Sequence, residues 1–148
     1  MKYTVEVTLE HTAWYKEGTS ILHREDGPAF QNSRGNKQWC IDGELHRVDG
    51  PAIEYSNGDK SWYINGLRHR VDGPAFEGID GSKTFYQNDK RHRTDGPAIE
   101  YSNGYKRWFI NDVQIHCKDN EEFLSITSPS CEGKIVEIDG KKYKLIKA

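Results

Sequence analysis

The sequence has too few apolar residues to build a thick hydrophobic core. Hydrophobic residues make up 34% of the 148 positions, and the mean hydropathy is −0.89. No apolar run approaches the roughly 18 residues that a membrane-spanning helix needs, and the N-terminus does not have the pattern of a signal peptide. We therefore expect one soluble domain located in the cytoplasm.

An excess of charge of one sign and the common metal and catalytic motifs are also missing. The 21 basic and 23 acidic residues are mixed along the chain, so binding to a nucleic-acid backbone is not expected. Cys40, Cys117 and Cys131 are odd in number and follow no metal spacing, which indicates reduced cysteines. Because no phosphate loop, nucleophile elbow or spaced carboxylate pair is present, the sequence predicts no catalytic residue, cofactor or metal ion.

What the sequence does contain is one motif, His-Arg-x-Asp-Gly-Pro-Ala, repeated four times in steps of 23 residues. Such a period predicts one structural unit stacked on copies of itself. It also argues against catalysis, because an active site needs one constellation and not four. The histidines of the motif are His23, His46, His69 and His92, and its aspartates are Asp26, Asp49, Asp72 and Asp95.

The second copy shows the predicted unit most clearly. After the Asp49-Gly50-Pro51 turn, residues 52–55 read as a short strand, with alternation placing Ile53 and Ala52 on opposite faces. An Asn-Gly turn then leads into a second strand over residues 60–64, and another Asn-Gly turn begins a short returning connection. The fold class is therefore mainly all-β: an elongated antiparallel sheet of tandem hairpins, with a short C-terminal helix and a terminal hairpin.

We divide this single domain into an N-terminal cap with a half repeat (1–22), four tandem repeats (23–112) and a C-terminal cap (113–148). The sheet should begin with a strand over roughly residues 3–9 followed by Trp14-Tyr15. The third copy should bend or loosen the sheet, because it has Gly78 and Asp89 where other copies have Tyr and Gly.

The C-terminal cap should contain two elements. Asp119 is placed to N-cap a short helix. Residues 134–138 and 141–146, joined by Asp139-Gly140, read as a hairpin that covers the last sheet edge.

The repeated histidines and aspartates could be metal ligands or acid–base pairs, but the spacing favours a structural role. Equivalent side chains of stacked hairpins lie about 9–10 Å apart, two strand spacings. Zinc ligands must approach to about 2 Å from one ion. We therefore expect the aspartates to accept turn hydrogen bonds, the arginines to pair with them, and the histidines to stack or bond across units.

The aromatic positions form two ladders that alternation directs to opposite faces. We expect Trp39, Trp62 and Trp108 to belong to the core. The other ladder is either a second core face or a partner surface, since aromatic residues near arginine are favoured at binding hot spots. The candidate partner-binding residues are Tyr63, Tyr86, Phe109, Arg47, Arg70 and Arg93.

The repeats resemble the MORN-variant repeats, through runs of the form Trp-Tyr-x-Asn-Gly-x-x-His-Arg-x-Asp-Gly-Pro-Ala between Trp14 and Asn111. Repeats of this form are often found in bacteriophage and some bacterial proteins, and related proteins include antitoxin-like ones. The resemblance implies an elongated antiparallel sheet that serves as a binding or scaffolding surface. A phage origin would imply a partner in the host, such as a component of antiviral defence.

Three functional hypotheses follow. The first is a non-enzymatic protein-binding module that occludes or scaffolds another protein, with a homodimer through exposed sheet edges as a further option. The second is a small-ligand or nucleotide sponge with pockets formed by arginine and tyrosine. The third and weakest is an enzyme built in the non-repetitive region from His116, Cys117 or Glu121.

Overall fold

The computed structural model describes residues 2–128, 135–138 and 141–144, which form a mainly β structure with one short helix. In chain order the elements are β1 (Tyr3–Val7), β2 (His11–Lys16), β3 (Phe30–Asn32), β4 (Lys37–Gln38), β5 (Cys40–Ile41), β6 (Glu44–Leu45), β7 (Ile53–Glu54), β8 (Lys60–Ser61), β9 (Tyr63–Ile64), β10 (Leu67–Arg68), β11 (Phe76–Glu77), β12 (Lys83–Thr84), β13 (Tyr86–Gln87), β14 (Lys90–Arg91), β15 (Ile99–Glu100), β16 (Lys106–Ile110), β17 (Val113–Ile115), α1 (Asn120–Thr127), β18 (Ile135–Ile138) and β19 (Lys141–Lys144). Eleven of these strands form a long antiparallel sheet in the order β1-β2-β3-β4-β7-β8-β11-β12-β15-β16-β17.

The second strand predicted for each unit is divided in the first three copies. In the second copy the division falls at Trp62, where the chain leaves the long sheet and enters the separate hairpin β9–β10. Trp62 N donates to Ala75 O (2.8 Å), and His69 N donates to Trp62 O (3.1 Å). The prediction of a single strand over residues 60–64 was therefore wrong, because the backbone N–H and C=O of Trp62 both bond to residues of the next copy.

Two rows of side chains follow the strand register across the long sheet. One row alternates in charge from strand to strand, which favours each cross-strand pair. Its members are Lys37, Glu54, Lys60, Glu77, Lys83, Glu100 and Lys106. The row on the other face alternates large apolar residues with smaller or polar ones: Phe30, Gln38, Ile53, Ser61, Phe76, Thr84, Ile99 and Arg107.

A ladder of alanines forms the most deeply buried part of the repeats. Each alanine that ends the motif is fully buried, as is Ala13 on β2: the members are Ala13, Ala29, Ala52, Ala75 and Ala98. Ile53 is buried as well, at 7% exposure. Alternation therefore does not separate a buried from an exposed face here, because adjacent residues Ala52 and Ile53 are both covered.

The third copy keeps the strand register of the second copy. Phe76 pairs with Thr84 in the same register in which Ile53 pairs with Ser61. Asp89 adopts a positive φ of 63°, and its carboxylate accepts hydrogen bonds from the backbone and side chain of Arg68. These bonds hold the turn where another copy has a glycine.

The two ends of the array are closed differently. At the start, β1 pairs with β2 as predicted, although β1 ends at Val7. At the other end, Asp119 caps α1 as predicted, with its Oδ1 accepting from Glu122 N at 2.8 Å. The hairpin β18–β19 is present and approaches β17, but it does not join the long sheet. Its predicted Asp139-Gly140 turn lies outside the described residues.

Among the described residues, no helix is long and apolar enough to cross a membrane.

Candidate functional site

The candidate site is built around the repeated motif, and we call its four copies joint 1 (23–28), joint 2 (46–51), joint 3 (69–74) and joint 4 (92–97). In joint 2, Arg47 Nε donates to Asp49 Oδ1 (2.9 Å) and Nη1 donates to Pro51 O (3.3 Å). Nη1 also reaches Glu54 Oε1 at 3.4 Å, and the guanidinium carbon lies 4.1 Å from the centre of the Trp39 ring. The arginine is thus held by two carboxylates, one carbonyl and one aromatic face.

The aspartate bond and the aromatic contact recur in the other joints, whereas the second carboxylate is present in joints 3 and 4 but not in joint 1. Arg24, Arg70 and Arg93 each bond to the aspartate two residues later. They lie over Trp14, Trp62 and Phe85 at 4.2, 4.2 and 4.0 Å. The arginine hydrogen bond lowers the pKa of Asp26, Asp49 and Asp95 below the usual range of an aspartate. The expected pairing of arginine with the aspartate of its own unit is therefore present.

The glycine of each joint leaves room for the guanidinium group of the joint arginine. A Cβ built on Gly50 would lie 2.9 Å from the guanidinium carbon of Arg47, and the distances at the other joints are 2.8 to 3.1 Å. A side chain at this position would meet the end of the arginine, which would have to shift from its present place over the aromatic ring. The Asp-Gly step therefore serves arginine stacking as well as the turn.

The histidines connect each joint to the next hairpin. His46 Nδ1 lies 2.8 Å from Asn65 Oδ1 and 3.2 Å from the backbone nitrogen of the same residue, which has a positive φ of 50°. Nδ1 accepts the amide hydrogen or donates to the side-chain oxygen, according to its protonation. The equivalent pairs are His23 with Asp42, His69 with Asn88, and His92 with Asn111. Each histidine thus holds a turn of positive φ later in its own copy, and the bond across units expected from the sequence is not the one observed here.

Three equivalent clefts open between successive joints, on the side that carries the tryptophans. Cleft A lies between joints 1 and 2, with a volume of about 500 Å³. Cleft B lies between joints 2 and 3 and is the largest of the three, at about 640 Å³, while cleft C between joints 3 and 4 is about 340 Å³. Their floors are Trp39 and Ile41 in cleft A, Trp62 and Ile64 in cleft B, and Phe85 and Gln87 in cleft C.

Cleft B also has the most apolar rim. Val48 and Val71 occupy the variable position of joints 2 and 3, and their exposed fractions are 83% and 80%. The corresponding residues of joints 1 and 4 are Glu25 and Thr94. Exposed β-branched residues above a tryptophan floor mark an apolar contact surface. Sequence reasoning missed these valines, although an apolar residue in an otherwise polar motif was a visible signal.

The two predicted sets of partner-binding residues are joined in pairs by backbone hydrogen bonds, from Arg47 N to Tyr63 O, Arg70 N to Tyr86 O and Arg93 N to Phe109 O. Arg47, Arg70 and Arg93 line the clefts, as the tryptophan face requires. The tyrosine–phenylalanine ladder lines none of the three clefts, so of the two predicted sets only the arginines contribute to them. The ladder consists of Tyr63, Tyr86 and Phe109.

That ladder is covered in part by other arginines. Arg68 lies 4.2 Å from the ring centre of Tyr86, and Arg91 lies 4.1 Å from that of Phe109. Phe109 is only 3% exposed, and burial raises the pKa of Tyr63. Of the two meanings that the sequence left open for this ladder, a second packed face agrees better with these contacts.

The tryptophans are not equally buried, although all three were expected in the core. Trp108 is 7% exposed, whereas Trp39 and Trp62 are only half-buried and form cleft floors. The expectation was right for Trp108 and wrong for the other two. The physical reason is the arrangement around them: a helix covers Trp108, while the arginines cover Trp39 and Trp62 on one face.

The thiols of both described cysteines have raised pKa values. Burial raises the pKa of Cys40 to about 11, and burial is also the largest cause of a similar pKa of Cys117. A thiol with such a pKa is a weak nucleophile at neutral pH. His116 and Glu121 are exposed, and Cys131 lies outside the described residues. Within residues 2–128, 135–138 and 141–144, no group of three histidine, cysteine or acidic side chains could hold a metal ion.

Comparison with known proteins returns no relatives: no family model, no curated protein and no solved structure matches the chain. Function must therefore be argued from the joints and the clefts between them.

Proposed function

We propose that the protein is a non-enzymatic binding module whose contact surface for another protein is the row of clefts between the joints. The observation that carries this proposal is the rim of cleft B, where Val48 and Val71 are 83% and 80% exposed above Trp62 and Ile64. Placing such side chains in water is unfavourable, and covering them by a partner recovers that free energy.

The polar groups around the clefts support the same proposal. The joint arginines already bond to aspartates, carbonyls and aromatic faces of their own chain. Because these side chains are held in place before binding, this protein would lose little additional side-chain entropy when a partner binds. The joints thus form rigid walls around apolar floors, which suits a specific protein interface.

A more specific form of the proposal follows from the resemblance to MORN-variant repeats. It is a phage-encoded inhibitor that occludes a host protein of an antiviral defence system in the host cytoplasm. An antitoxin-like or immunity role is the corresponding bacterial version. Both versions use the same surface and differ only in the partner.

The test uses the full chain as bait in the relevant host lysate, with bound proteins identified by mass spectrometry. The bait with Val48→Asp and Val71→Asp should lose the partner. The matched control, Ile79→Asp, changes another exposed apolar residue, 71% exposed, that lines none of the three clefts. A wild-type bait that captures no specific protein from any relevant lysate would contradict the function.

The alternative is a small-ligand or nucleotide sponge, which the cleft volumes of about 340 to 640 Å³ make worth testing. Ligand pockets fall in roughly the same size range. However, Nε and Nη1 of Arg47 already have partners, so a phosphate would have to compete for them. A rise in melting temperature with nucleotides would favour the sponge; we expect no such rise.

A further inference from the structure

The position that follows cleft C in the array is occupied, and its occupant is the helix α1 of the same chain. Phe123 of α1 is fully buried and packs against Trp108 and Ile115, with Ile110 beside them. The ring centres of Phe123 and Trp108 are 6.5 Å apart. This cluster forms the apolar core at the C-terminal end of the repeats.

The helix also contacts joint 4. Asn120, the first residue of α1, donates through Nδ2 to Asp95 O and accepts at Oδ1 from Trp108 Nε1, both at 3.3 Å. Gly96 and Pro97 of this joint are buried, whereas the equivalent residues of joint 2 are half-buried. The helix therefore lies between joint 4 and Trp108, where the three preceding positions are open.

The groups that hold α1 recur in cleft B. Asp49, Trp62 and Ile64 stand 46 positions, or two repeats, before Asp95, Trp108 and Ile110. Within the described residues, the Asp49 carbonyl and the Trp62 indole N–H have no hydrogen-bond partner, so the pair that Asn120 joins in the last position is free here. Cleft A offers the same pair, but cleft C has Phe85 and Gln87 and offers no indole N–H.

Two residues in which cleft B differs from the covered position at the end of the array determine which polar groups an occupant of cleft B needs. His69 of cleft B corresponds to Ile115 of the C-terminal cap. Arg70, which lies over Trp62, corresponds to the exposed His116 of the cap. Both replacements introduce nitrogen donors beside the apolar floor. A carboxylate next to the inserted side chain would match them, and α1 itself has Glu121 and Glu122 in its first turn.

We propose that cleft B binds an amphipathic α-helix of a partner protein. This helix inserts a large apolar or aromatic side chain at the position of Phe123, places an amide at the position of Asn120, and has an acidic residue nearby. The inference rests on the proposed protein-binding function and specifies its partner. The α1 of a second copy is disfavoured as occupant, because Phe123 is fully buried in its own chain and its removal would expose that core.

The test uses a synthetic peptide of residues 118–128 as the probe. A short helix is marginal in water, so a lactam between Glu121 and a lysine replacing Ser125 holds it helical through two exposed positions. The peptide is titrated into the full-length protein while the indole N–H signals are followed by NMR. The Trp62 signal should shift saturably, with a smaller response of Trp39, while Trp14, which lines none of the three clefts, stays unchanged.

Matched variants make the outcome decisive. A peptide with Phe123→Ala should bind at least about tenfold more weakly, as expected for the loss of a buried aromatic ring. The protein with Val48→Asp and Val71→Asp should show the same loss, and Ile79→Asp should bind normally. No Trp62 response, equal binding of the two peptides, or undiminished binding by the double variant would each overturn the proposal.

Two further measurements separate this inference from the function on which it rests. If the protein sediments as a dimer that Phe123→Ala converts to a monomer, the occupant is a second copy and the proposal of a partner helix is overturned. If the full chain captures a host protein equally well with and without Val48→Asp and Val71→Asp, the protein-binding function holds and the cleft B inference fails. Peptide binding without any captured partner would support the cleft chemistry and contradict the function.

Discussion

Trp62 in the middle of the array and Trp108 at its end occupy the same position of the repeat, yet their surroundings differ. Trp62 is half-buried under Arg70 on the floor of an open cleft, and Trp108 is 7% exposed beneath Phe123. The repeat thus provides an aromatic floor at each step, and the segment that follows decides whether that floor is covered. The burial of a side chain in these repeats is therefore set by the segments packed around it and not by the motif alone.

Removing the cover should have the largest effect. Phe123→Ala turns the end of the array into an open position like cleft B, and we expect a loss of about 3–5 kcal/mol in the free energy of unfolding, typical for a buried Phe→Ala change. Urea denaturation measures it. Leu124→Ala on the exposed side of the same helix is the control and should cost much less. Equal losses would show that α1 does not seal Trp108.

Filling the alanine ladder should have the next largest effect. Ala52 has no exposed surface and lies beside the arginine stack of joint 2. Ala52→Leu should therefore destabilise the protein by about 1–3 kcal/mol through overpacking. Val48→Leu, at an exposed position of the same joint, should change stability by less than about 0.5 kcal/mol. Thermal unfolding of both variants checks the difference, and a tolerated leucine at position 52 would contradict it.

Removing an arginine that stacks on an aromatic ring should cost more stability than removing the residue at the same position in the C-terminal cap. Arg47→Ala removes the contact with Trp39 and the bonds to Asp49 and Pro51, and we expect a cost of about 1–2 kcal/mol. His116 of the C-terminal cap, 23 residues after Arg93, is exposed, so His116→Ala should change the free energy of unfolding very little. Chemical denaturation compares the two, and a comparable cost at position 116 would refute the distinction.

The smallest expected effect is on the melting temperature at acid pH. The hydrogen bond from Arg47 lowers the pKa of Asp49 in the folded protein below its unfolded value. The resulting stabilisation is present at neutral pH and is lost as the pH falls through the folded pKa, that is, below roughly pH 4. Asp49→Asn should make the decline of melting temperature in this range shallower. The C-terminal cap has Lys118 at the corresponding position, so Lys118→Ala should leave the decline of melting temperature below roughly pH 4 unchanged.

Much of the local structure was predictable because it depends on neighbouring residues. Asp119 caps α1 through its own side chain, and Asn65 forms a turn with positive φ that asparagine tolerates. The pairing of Arg47 with Asp49 spans only two residues. Each of these features could be read from a few consecutive letters.

The candidate site was less predictable because it depends on contacts between copies. The strand break at Trp62 arises from backbone bonds to Ala75 and His69, neither of which a local pattern reveals. The stacking of Arg70 on Trp62 also escaped prediction, since the joint lies outside the strand alternation used to place the side chains.

Period, fold class, turn positions and joint chemistry therefore follow from the sequence alone, because 23-residue repetition and short-range hydrogen bonding leave few alternatives. Tertiary structure decided which aromatic floors stay open, which valines face solvent and where α1 lies. Solvent exposure depends on every segment that packs nearby, and for Trp108 the covering residue Phe123 lies outside the repeats.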